Sequence, residues 1–180
     1  MDETGNAISS YVKHNLQCDD TFRDSKKREL ILTRVEKAFS FLPEDVLDLF
    51  LSGFRKLAMV IVPDTGLPLG MSTKSEGPAG DRKYTVVLYP EHHEWAEDRF
   101  IGGFLRELAH VVAQRPPEDE WPHSRGDRAR HKEQLECRAD TMVWRWGLRH
   151  YCMAYLAATY PPHWVERIVD QIGKMLLEQD

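Results

Sequence analysis

Residues 104–112 read FLRELAHVV, a stretch in which three polar side chains interrupt an otherwise apolar run. Counted from Phe100, the apolar positions Phe100, Ile101, Phe104, Leu105, Leu108, Val111 and Val112 recur at the spacing of one broad helix face. Glu107 and His110 are three apart, and His110 lies one turn after Arg106, so all three reach a common space in front of the helix. Pro116 and Pro117 stop it. Gly102 and Gly103 cost a helix about 1 kcal/mol each against alanine, which predicts close packing against a neighbour there.

Upstream of this helix, Lys83 to Tyr89 (KYTVVLY) and Lys56 to Pro63 (KLAMVIVP) are short, apolar, β-branched runs that read as strands. Between them, DTGLPLGMSTKSEGPAGD (64–81) has the composition of a loop. Two helices open the fold. One starts near Arg23 and carries Leu30, Ile31, Val35, Ala38 and Phe39; the next starts at Pro43-Glu44-Asp45 and carries Val46, Leu47, Phe50, Leu51 and Phe54. Residues 1–23 are polar with weak periodicity and read as a flexible lead-in or a short helix. Downstream, residues 114–134 form a charged connection, after which Leu135, Ala139, Met142, Val143 and Trp146 recur at helical spacing, with Gly147 as the stop. A short helix from Tyr151 to Ala158 follows. Pro161-Pro162 then opens a last amphipathic helix on Val165, Ile168, Ile172, Met175 and Leu176. This order predicts an α+β fold, a mainly helical single domain over residues 1–180 with a small β-sheet.

The chain has 180 residues, 42% hydrophobic and 29% charged, which suits one core of useful size. Its net charge of -5, with bases scattered among acids, offers no electrostatic footprint for nucleic acid. Cys18, Cys137 and Cys152 are an odd number at wide spacing, which predicts thiols in a reducing compartment rather than a disulfide framework. The first residues, MDETGNAISSYVKHN, lack a basic start and an apolar run, and no stretch has the length of a membrane span. The expected location is the cytoplasm, with no membrane partner.

The polar residues of the 104–112 helix carry the chemistry. Arg106 to His110 differs only in its first residue from H-E-x-x-H, in which histidines at i and i+4 hold zinc and the glutamate activates water. Zinc also needs a ligand from elsewhere, and the next helix offers Glu136 and Asp140, again i and i+4, in ECRAD (136–140).

The stretch from Tyr84 to Trp146 resembles the minimal zincin-like metallopeptidases of bacteria and their phages, including the regulatory peptidases that cleave repressors. The shared order is a strand like TVVLYP, the H-E-x-x-H helix at Arg106–His110, and a charged loop. A helix follows with a glutamate ligand, as in Glu136-x-x-Ala139-Asp140, and then a W-G like Trp146-Gly147. The resemblance implies a zincin-like core over about 84–147 and zinc as cofactor. His110 and Glu136 are then metal ligands and Glu107 the general base of peptide hydrolysis. The strand residues Val86, Val87 and Leu88 would border a groove that takes an extended peptide by β-strand addition. Arg106 departs from the family: a guanidinium stays protonated and has no lone pair for a metal. The expectation is therefore a degenerate site in which Arg106 replaces the metal electrostatically, pairing with Glu136 or Glu107. The protein would then be a pseudopeptidase, a peptide- or protein-binding or regulatory module. Two other readings stand beside it. One is an active zinc peptidase completed by Asp140 or by a histidine from His92, His93, His123 or His131; the other is a structural or assembly protein whose Glu107, His110 and Glu136 are surface groups.

Overall fold

The structure is a computed structural model that describes residues 3–18, 26–62, 70–78 and 81–178. It is a mainly helical α+β fold with one small sheet. In chain order the elements are α1 (Glu3–Asn15), β1 (Leu16–Cys18), α2 (Lys26–Ser40), α3 (Glu44–Leu51), β2 (Lys56–Ile61), β3 (Ser72–Glu76), β4 (Lys83–Leu88), α4 (Glu97–Val112), α5 (Arg125–Arg145), α6 (Arg149–Thr159) and α7 (Pro162–Leu177). The strands lie in the order β1-β2-β4-β3. β1, β2 and β4 run parallel, while β3 is antiparallel to β4.

Alternation along the strands sends Leu57, Met59 and Ile61 of β2 and Tyr84, Val86 and Leu88 of β4 into the core beneath the helices. Over that face runs α4, every residue of which from Phe100 to Val111 is buried. It packs against α2, α5 and α6 as well as the sheet. A helix so enclosed has no solvent face for its charged residues, so Arg106 and Glu107 must find partners inside. The two glycines let α6 approach it. A Cβ on Gly102 would stand 2.0 Å from the Tyr151 carbonyl oxygen, and one on Gly103 would stand 3.0 Å from the Tyr155 ring.

Of the two readings of the lead-in, the short helix is found over Glu3–Asn15, where α1 buries Ile8 and Val12, and β1 then pairs with β2. Several other sequence expectations need correction. The segment read as a loop contains β3, whose polar sequence STKSE conceals a strand. Because β3 pairs with β4, the strand bearing Val86, Val87 and Leu88 is bonded on both sides. Its edge is closed to a peptide; among the described residues the edge strands are β1 and β3. The charged connection is also shorter than expected. α5 starts at Arg125, where the Ser124 side chain accepts the Asp127 backbone N–H. Gly147 ends α5 with φ 77°, as its left-handed stop requires. The predicted helix start at Arg23 and the strand end at Pro63 lie outside the described residues.

Gly102→Ala is expected to destabilise the protein by about 3 kcal/mol, because backbone rather than a flexible side chain blocks the added methyl. Gly173→Ala in α7, where no atom lies within 4 Å of the added Cβ, is expected to stabilise by about 0.5–1 kcal/mol. Urea unfolding of the two variants reads both, and equal effects would contradict this packing of α4 on α6.

Candidate functional site

The site is built where α4 crosses α5. Helical spacing sets Arg106, Glu107 and His110 on α4, and Glu136 and Asp140 on α5 opposite them. Arg106, Glu107, His110 and Asp140 are each buried, at 5%, 3%, 1% and 1% exposure. Arg106 lies between the two acids of α5. Its Nε donates to Asp140 Oδ1 at 2.6 Å, its Nη2 to Asp140 Oδ2 at 3.4 Å and its Nη1 to Glu136 Oε2 at 2.8 Å. The same Glu136 oxygen lies 3.1 Å from His110 Nε2. The Tyr155 ring stands 5.6 Å beneath the guanidinium.

A fifth polar residue enters from beyond the helix. α4 ends in a Schellman motif, with Gln114 at φ 56° and bonds from Gln114 N to Val111 O and from Arg115 N to His110 O. This turn folds the chain back, so that Arg115 Nη1 sits 3.2 Å from Glu136 Oε1 and 3.4 Å from His110 Nε2. Glu136 thus meets three basic side chains. Burial alone would favour its neutral form, yet Arg106, His110 and Arg115 together hold it well below the usual carboxylate range. Burial likewise opposes the charge on Arg106, but Asp140 and Glu136 outweigh it and raise its pKa further.

Glu107 takes a different partner. Thr73 of β3 hydrogen-bonds through its hydroxyl to Glu107 Oε2 at 2.7 Å and lies 3.2 Å from the Glu107 carbonyl oxygen. Burial pushes the Glu107 carboxyl up, more than His110 and Arg106 pull it down. The Thr73 hydroxyl has one proton and faces two acceptors of the same residue, the carboxyl oxygen and the carbonyl oxygen of Glu107. Arg106 therefore pairs with Glu136 and Asp140, and Glu107 is bridged to the sheet instead.

These residues do not fit a zinc ion. The His110–Glu136 separation is near that of two ligands on one metal, but Arg106 and Arg115 donate to the very oxygens a cation would use. Among the described residues, no three His, Cys, Asp or Glu side chains converge as a metal-binding group. The other histidines lie elsewhere. His92 is buried and accepts the Tyr89 N–H, His93 contacts the Pro90 carbonyl, and His131 packs against Trp121.

Beside the cluster lies a groove of about 830 Å³ whose walls are β3 with Gly77 and Pro78 on one side and Arg115 to Glu120 on the other, while Arg106, Glu136 and Asp140 line a separate cavity of about 460 Å³ against α7. Thr73 and Arg115 connect groove and cluster. Sequence reasoning named neither, since Thr73 lies in a polar stretch with no strand signal. Arg115 had one usable signal, its place just after the end of a helix that carries His110. Among the described residues, no helix is long and apolar enough to cross a membrane. No family model, curated protein or solved structure matches the chain.

Asp140→Asn leaves Arg106 with one charged partner in a buried setting, and a loss of about 3 kcal/mol is expected in urea unfolding. Glu107→Gln tests the raised carboxyl. An acid whose folded pKa is raised contributes stability that is complete below its unfolded pKa and is lost as pH rises through its folded value. Glutamine has no such dependence, so the variant should gain on the wild type as pH rises above the unfolded glutamate value of about 4.3. A pH-independent difference would count against a raised Glu107 carboxyl.

Proposed function

We propose that this protein is a zincin-like pseudopeptidase, a binding or regulatory module that holds an extended peptide or protein segment against β3 without cleaving it. The observation that carries the reading is the guanidinium of Arg106, set 2.8 Å from Glu136 and 2.6 Å from Asp140 in the space where a catalytic cation would sit. A guanidinium supplies positive charge and directed N–H donors but accepts no ligand, so it neither generates a bound hydroxide nor polarises a carbonyl as a metal does. The reading is supported by an edge strand, β3, beside a groove. Five residues of β3 offer about 17 Å of backbone, enough to register an added strand of similar length.

The test joins metal content with strand addition. Wild-type protein dialysed against trace zinc should carry none. Arg106→His combined with Arg115→Met should take up close to one equivalent, and His110→Ala should abolish that uptake. Stoichiometric zinc in the wild type, lost in His110→Ala, would instead make this an active metallopeptidase. Failure of the combined variant to bind zinc would reject the zincin frame. Separately, an extended peptide of about eight residues alternating valine and serine should raise hydrogen-exchange protection across Ser72–Glu76. Unchanged protection there would remove β3 as the binding edge.

A further inference from the structure

The two arginines of the cluster are held in very different ways. Arg106 is enclosed, spans both acids and bonds Asp140 through two nitrogens. Arg115 comes from the segment that walls the groove, and only one of its nitrogens meets Glu136, at 3.2 Å. Its remaining support is His110 Nε2 at 3.4 Å and an aromatic face: the guanidinium lies 5.2 Å from the centre of the Trp121 ring. Trp121 is itself fixed. Its indole N–H donates to the Pro116 carbonyl at 3.1 Å, and its side chain is packed by Arg128 and His131. The result is a seat made of a carboxylate oxygen, an imidazole nitrogen and an indole face, whose occupant Arg115 also lines the groove.

Those three groups are a receptor for a flat cation. Carboxylate and aromatic face together select guanidinium over ammonium, because a planar delocalised ion stacks while it donates. Glu136 divides its oxygens between two duties: Oε2 serves Arg106 and His110, and Oε1 serves Arg115. Removing Arg115 would leave Arg106 fully paired and Oε1 without its guanidinium partner.

We propose that this seat is a specificity pocket for an arginine side chain of the bound segment, and that Arg115 is its resident occupant, displaced when the partner binds. The proposal deepens the groove reading by naming the side chain such a segment carries. It can be tested without strand addition, because the seat should accept a single capped amino acid.

The experiment measures binding of N-acetyl-arginine methylamide to full-length wild type, Arg115→Ala and Arg115→Ala/Glu136→Gln by calorimetry, with the lysine and norleucine analogues alongside. Emptying the seat should tighten arginine binding at least about tenfold over wild type. The lysine analogue should bind more weakly, norleucine should not bind, and Glu136→Gln should cancel the gain. Equal arginine affinity in wild type and Arg115→Ala, or a gain that survives Glu136→Gln, would overturn the proposal. Arg115→Ser, which likewise empties the seat, repeats the test should the alanine variant not fold. Arginine binding at the seat without protection of β3 by the alternating peptide would overturn strand addition alone, and the reverse pattern would overturn the seat alone.

Discussion

The guanidinium of Arg106 between Asp140 and Glu136 is the contact on which the arrangement of α4 and α5 depends. Buried ion pairs of this kind contribute little net stability, because the desolvation of both partners offsets their attraction. Their effect is on geometry. An arginine fork that must meet two carboxylates one helical turn apart allows a single rotation and a single axial register of α5 against α4. The apolar contacts of Ala139 and Val143 on the same helix would tolerate a slide, whereas three N–H donors aimed at two acids do not. Everything at the site follows from that fixed crossing, including the approach of His110 to Glu136 and the distance at which Arg115 can reach the same carboxylate.

The side chains of the cluster balance one another's charge. Two guanidinium groups face two carboxylates, and the third acid, Glu107, is pushed toward its neutral form by burial. Each charge has a partner of opposite sign within hydrogen-bonding distance, as a low-dielectric interior requires. A zinc-binding histidine at position 106 would leave the acids of α5 short of one positive charge, which the metal would then supply. Arginine supplies that charge covalently. The exchange keeps the electrostatics of the frame while removing the Lewis acid, and this is why a retained shape and an absent reaction are compatible on the proposed reading.

The helices and two of the strands were legible because their signals are local. The face from Phe100 to Val112, the paired glycines and the Gly147 stop are written in spacing and residue type, and each has its structural counterpart. What escaped has non-local causes. β3 is polar because it is an edge strand that packs few side chains, so STKSE resembles a loop. The first turns of α5 are charged on all sides because they project past the core, and only Ser124-x-x-Asp127 marked their start. The pairing of Arg106 with Asp140 was obscured for another reason: spacing brings both α5 acids to one face, but it does not say which of them an arginine on another helix will meet.

A free sheet edge is a hazard for any protein, since unpaired N–H and C=O groups recruit strands indiscriminately. Here the hazard is contained by several devices that act together. β3 is short, carries Lys74 at its centre and is faced by the Arg115–Glu120 segment across the groove. That segment is tied down at both ends: Arg82 binds the Gln114 carbonyl and Glu120, and Trp121 closes on the Pro116 carbonyl. Arg115, the first residue of the segment, is the tie that reaches into the cluster. If the groove takes a strand, this contact competes most directly with the partner. A segment offering the same cation restores to Glu136 what it removes, while a segment without it leaves a buried carboxylate oxygen unpaired. Discrimination between partners then arises from the cost of that unpaired oxygen rather than from any added attraction.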